Sequence, residues 1–104
     1  MQLARILGIA TLSTSLTTQY TVPVGATTRI TRISISAGST ANGVTIQVKD
    51  SSLDITKNLW NGRSLPANTT AEIFDLILEA GDQILAKTFS ATDFDIIIMG
   101  IEDI

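Results

Sequence analysis

Paired carboxylates can act as general acid and base, so they are the first chemistry to look for. Three pairs stand close in sequence: Asp50 with Asp54, Glu79 with Asp82, and Asp93 with Asp95. Each lies at or beside a predicted turn, where an acidic side chain accepts hydrogen bonds from free backbone amides. They are read as turn chemistry rather than as a hydrolytic dyad. The stretch Asp50-Ser51-Ser52-Leu53-Asp54 offers oxygens to Ca²⁺. It lacks the glycine and closing glutamate of an EF-hand loop. The chain has no Cys and no His. The usual nucleophilic triads and dyads therefore cannot be written, and the usual zinc ligands are missing. The seven glycines occur singly, with no GxGxxG or Walker-type loop. The sequence thus assigns no catalytic, cofactor-binding or metal-binding residue, and no cofactor.

Recognition chemistry is also sparse. Aromatic residues make up 5%: Tyr20, Trp60, Phe74, Phe89 and Phe94. Trp60 adjoins Asn61-Gly62, a tight-turn signal, because both residues tolerate positive φ. It is the one candidate partner-contact anchor, the alternative being a core or interface anchor. The basic residues number 7 and are scattered, and net charge is −3. No basic run or stripe exists, which argues against nucleic acid. Arg29 and Arg32 are read as a solvated strand edge or as salt-bridge partners. No stretch reaches the about 20 apolar residues of a membrane helix. Leu3 to Ala10 is interrupted by Arg5 and is not read as a signal peptide. Asn68-Thr69-Thr70 is read as a polar turn.

What positions these residues is a set of strands. The palette is Ile, Val and Thr, punctuated by Gly, Asn, Ser and Pro, and β-branched residues suit a pleated, half-buried surface. The pattern predicts strands at Leu3–Ile9, Thr18–Val22, Thr27–Ser36, Val44–Lys49, Leu53–Leu59, Thr70–Leu76, Gln83–Phe89 and Phe94–Glu102. Val44, Ile46 and Val48 point inward, with Thr45, Gln47 and Lys49 outward. Asn61-Gly62 and Ala80-Gly81-Asp82 are expected turns. About eight short strands predict an all-β, antiparallel β-sandwich, jelly-roll-like, in a single domain over residues 1–104. Strand order, jelly roll or immunoglobulin-like, stays open.

Composition bears on function through the surface. Hydrophobic residues make up 44% and charged residues only 16%, against roughly 25% charged in ordinary soluble domains. So little charge leaves apolar surface to be covered. The terminal strands say where. In the last strand Phe94, Ile96 and Ile98 face one way, and Ile97, Met99 and Ile101 the other. In the first, Leu3, Leu7 and Ile9 share a side with Arg5, with Ile6 opposite. A strand apolar on both faces needs cover on both. Leu3, Ile6, Ile97, Met99 and Ile101 are the expected oligomer interface.

One segment carries a family resemblance. Thr17-Thr18-Gln19-Tyr20-Thr21-Val22-Pro23-Val24-Gly25-Ala26-Thr27-Thr28 resembles the T-x-Y-T-V-P-x-G-x-T opening of small structural proteins of tailed bacteriophages and prophages. Leu65-Pro66-Ala67-Asn68-Thr69 and Leu78-Glu79-Ala80-Gly81-Asp82-Gln83-Ile84 resemble that family's later turns. The resemblance covers Thr17 to Ile101. It implies a non-enzymatic virion protein on a β-sandwich, assembled in the bacterial host cytoplasm. The expected role is capsid decoration (cement), as a homotrimer on the major capsid protein or with other virion proteins. A tail, neck or fibre-associated protein is the alternative, and a carbohydrate- or host-surface-binding module the alternative of another class. Residues 1–15 are either the first strand or an N-terminal arm.

Overall fold

A computed structural model of the chain describes residues 1–90 and 93–104. It contains β1 (Gln2–Thr11), β2 (Thr17–Thr21), β3 (Thr27–Ser36), β4 (Asn42–Asp50), β5 (Ile55–Leu65), β6 (Thr70–Leu78), β7 (Gln83–Thr88) and β8 (Asp95–Asp103). Two four-stranded sheets, ordered β1-β8-β3-β6 and β2-β7-β4-β5, pack as a sandwich. β1 pairs with β8, β2 with β7, β3 with β6 and β4 with β5, all antiparallel. The chain is therefore one long hairpin, with its tip after β4, folded over on itself. That is the jelly-roll arrangement.

The core lies between the sheets and follows the period of two. From β8 it takes Phe94, just before the strand, with Ile96 and Ile98; from β3 it takes Ile30, Ile33 and Ile35. β4 contributes Val44 and Ile46, and β7 contributes Ile84 and Ala86. Fully burying one such side chain contributes about 1.5–3 kcal/mol. Val48 also packs against this core, though only partly buried.

The period of two breaks at bulges, and the breaks decide which residues face out. Opposite residues in a pair share a face. In the first sheet Ile6 is opposite Met99 but Gly8 is opposite Ile98, so Leu7 is an extra residue in β1. Ile9 consequently joins Ile6 on the outer side, instead of sharing a side with Leu3 and Arg5 as the unbroken alternation predicts. β3 carries the matching irregularity at Thr31, whose hydroxyl donates to the Met99 carbonyl at 3.1 Å. In β6 Asp75 takes a positive φ of 56°. Phe74 and Ile77 therefore both end on the outside, opposite Arg32 and Arg29. Gly100, on β8 between these bulges, has no room for a side chain. A Cβ there would collide with the Arg29 carbonyl and come within 2.8 Å of the Leu7 side chain.

The expected turn at Asn61-Gly62 is instead a bulge inside β5. Val44 is opposite Arg63 while Ile46 is opposite Trp60, so β5 carries the surplus residue. Gly62 supplies the positive φ of 63°, and its amide donates to the Thr45 hydroxyl at 3.0 Å. The same preference that suits glycine to a tight turn suits it to a bulge. The reversal lies at residues 51–54. There Asp50 Oδ1 accepts from the Ser52 amide (2.9 Å), the Ser52 hydroxyl (2.8 Å) and the Leu53 amide (3.1 Å).

Candidate functional site

Three of the sequence-predicted acids, Asp50, Asp82 and Asp93, accept hydrogen bonds from backbone amides, and Asp54 lies 4.0 Å from the Lys49 ammonium. The Asp50 carboxyl is held below its ordinary pKa by the Ser52 hydroxyl and the Leu53 amide. Asp82 is buried and accepts from the Ser51 amide (2.9 Å), the Ser51 hydroxyl (3.1 Å) and the Glu79 amide (2.9 Å). It ties the β4–β5 tip to the β6–β7 turn. Asp93 accepts from the Ser39 amide at 3.3 Å, and Asp95 from the Thr11 hydroxyl at 2.8 Å. Among the described residues no group of three or more acids, His or Cys is placed to hold a metal ion.

Trp60 is half-buried and packs against the core, with the Arg63 guanidinium 4.6 Å from its ring centroid. It presents no open stacking platform.

The outer face of the β1-β8-β3-β6 sheet is different in kind. Strand register arranges it in rows. One row runs Ile6, Met99, Arg32, Phe74 across the four strands; the next runs Ala4, Ile101, Arg29, Ile77; a third runs Ile9, Ile97, Ser34, Glu72. Ile6 is 55% exposed, Ile9 70%, Phe74 62% and Ile77 77%. Isolated exposed apolar residues are ordinary, but a contiguous set on one sheet face is not. The outer face of the other sheet shows the contrast. Its Thr18, Gln47, Lys49, Asn58 and Lys87 make a wet surface, where Gln47 donates to Asn58 at 3.0 Å.

The arginines on the apolar face are paired within it. Arg29 meets Asp75 at 3.2 Å and Arg32 meets Glu72 at 3.3 Å. Arg32 also lies 3.6 Å from the Met99 sulfur. A shallow depression with a mainly apolar lining opens between the first two rows, formed by Ala4, Ile6, Met99 and Ile101 together with Arg5, Thr31 and Gly100. Of the residues expected at an interface, the structure brings Ile6, Ile97, Met99 and Ile101 together. Leu3 is not with them. It stands opposite the buried Glu102 and so faces the core side. Ile9, Phe74 and Ile77 join the face only because of the bulges, which a period-two reading misses.

A buried polar cluster was also invisible to spacing. Glu102 is 1% exposed. Its carboxylate accepts from Arg5, and from the Tyr20 hydroxyl at 2.7 Å. Tyr20 and Thr28 share a further hydroxyl–hydroxyl bond of 2.7 Å. Burial pushes the Tyr20 phenol up to about 12, because the phenolate would lose its hydration. The cluster clamps β1, β2, β3 and β8 together at one end of the sandwich. Its hydrogen bonds join residues of four strands to one another, so it serves the scaffold.

No family model and no curated protein matches the chain. Solved structures do. The chain is similar to a pentameric capsid protein isolated from metagenomic phage sequences, at 23% identity and a TM-score of 0.40 over 97% of this chain and 59% of that one. It is also similar to a chain in the structure of infectious bursal disease virus, Gt strain, at 10% identity and a TM-score of 0.41, over 97% of this chain and 31% of that one. The chain thus spans less than two thirds of the length of these neighbours. Likenesses this distant do not bear on what the chain does.

Proposed function

We propose that this chain is a non-enzymatic structural protein of a tailed-phage virion, and that it acts as a capsid decoration (cement) protein. The observation that carries the reading is the contiguous apolar outer face of the β1-β8-β3-β6 sheet, which no described segment of the chain covers. The Tyr20-to-Thr28 segment and the two later turn landmarks favour a phage particle as the setting. Self-association, with a trimer as the unit, hides the face centred on Met99. Many modest apolar contacts, repeated by lattice symmetry, then add up to a stable shell.

Cosedimentation with expanded and unexpanded phage capsids tests the reading. Decoration expects the protein in the pellet with capsids. Absence from both pellets overturns decoration and leaves a tail or neck position as the remaining virion role.

A further inference from the structure

We infer that copies of this chain join by inserting Phe74 of one copy into the depression between Ala4, Ile6, Met99 and Ile101 of the next. This rests on the assembly reading above and specifies its contact. Knob and socket lie on the same outer face, at opposite sides of it. Phe74 projects from β6 at one margin, 62% exposed. The socket sits mainly over β1 and β8 and reaches β3 at Thr31. Phe74 is two strands, about 10 Å, from β8, and Arg32 stands between it and Met99 in the same row, so Phe74 does not fill the socket of its own chain. A neighbour's can.

Two further features favour a second copy as the occupant. First, the face neutralises its own charges through Arg29–Asp75 and Arg32–Glu72. It offers no net pull to nucleic acid or anionic lipid, and a like face meets it without repulsion. Second, strand addition is discouraged, because every edge is broken. β1 bulges at Leu7, β2 shifts register between Thr18 and Tyr20, β5 bulges near Gly62, and β6 kinks at Asp75. Broken edges are how sheets avoid edge-to-edge pairing, which leaves the face. The β6 margin then meets one neighbour and the β1–β8 half the other. Such a contact joins two different patches, and repetition closes it into a ring.

The chain has no cysteine, so single variants Phe74→Cys and Ile6→Cys each carry one reactive thiol. Treated with a short thiol–thiol cross-linker, a mixture of the two is expected to give covalent dimers at least tenfold more efficiently than either variant alone. The double variant is expected to give a ladder that stops at the ring size. Equal cross-linking of each variant with itself overturns the inference in favour of a two-fold contact. A wild-type oligomer in sedimentation, with no cross-link in the mixture, overturns the inference and leaves assembly standing. A monomer that still pellets with capsids overturns the ring and leaves decoration standing.

Discussion

The Tyr20 hydroxyl donates to Glu102 Oε2 at 2.7 Å, across the interior from one sheet to the other. Tyr20→Phe removes that donor and leaves a buried carboxylate with one partner fewer. Hydrogen bonds to charged groups contribute about 1.5–3 kcal/mol. The variant is expected to unfold at lower denaturant by that amount, with an unchanged denaturant slope.

The chain has one tyrosine, so the pH-dependent rise in absorbance at about 295 nm, where phenolate absorbs, follows Tyr20 alone. Its folded pKa, about 12, stands above the ordinary 10.0. Between those values the unfolded chain releases the proton and the folded chain keeps it. Stability is therefore complete below pH 10 and falls as pH rises toward 12. A phenol titrating near pH 10 in the folded protein contradicts this.

Arg5 is the cation beside Glu102. Arg5→Met keeps much of the side chain's bulk and removes the charge. Breaking a fully buried pair costs about 3–5 kcal/mol. Arg5 is half exposed, and water reaches the site from its side, so a loss of about 2 kcal/mol is expected. Amide exchange in β1 should quicken more than in β4, because the clamp holds β1 at the sheet edge.

Two glycines separate backbone strain from collision. At Gly62 there is open space for a Cβ but a positive φ. Gly62→Ala is expected to cost about 1–2 kcal/mol. At Gly100 the added carbon meets the β3 backbone. Gly100→Ala forces β3 away from β8, and a loss of about 3 kcal/mol or more is expected in the same denaturant measurement.

Met99 marks the middle of the apolar face. Met99→Glu places a charge there without entering the core. The expected result is a smaller species in sedimentation velocity, with far-UV circular dichroism unchanged. An oligomer that persists contradicts the assignment of this face.

The strands were legible because β-branched residues and turn residues alternate so regularly. Thr27–Ser36 matches β3 end to end, and Ile96 and Ile98 point inward as alternation requires. What the pattern missed has one physical origin. A bulge adds a residue without any change in residue type, so a period-two reading carried past Leu7 or Asp75 puts later side chains on the wrong side. Ile9 was lost to the candidate face that way, and Ile77 shares a side with Phe74 only across the Asp75 bulge. Asn61-Gly62 misled for the reverse reason, since a turn and a bulge ask for the same positive φ. The Glu102 cluster had no local signal, because its members meet only when distant strands cross.

The folded-over hairpin also sets an order of events. The β4–β5 pair closes the shortest loop and β1–β8 the longest, each pairing nested inside the next. Loop closure costs more entropy as the loop lengthens, and a chain dominated by distant pairings folds slowly. The tip near Asp50 is expected to zip first. The ends, where the Ile104 amide reaches the Met1 carbonyl at 2.8 Å, close last. The apolar face needs β1 and β8 side by side, so it exists only once the chain has finished folding. Unfinished chains do not carry the surface by which finished ones would recognise each other.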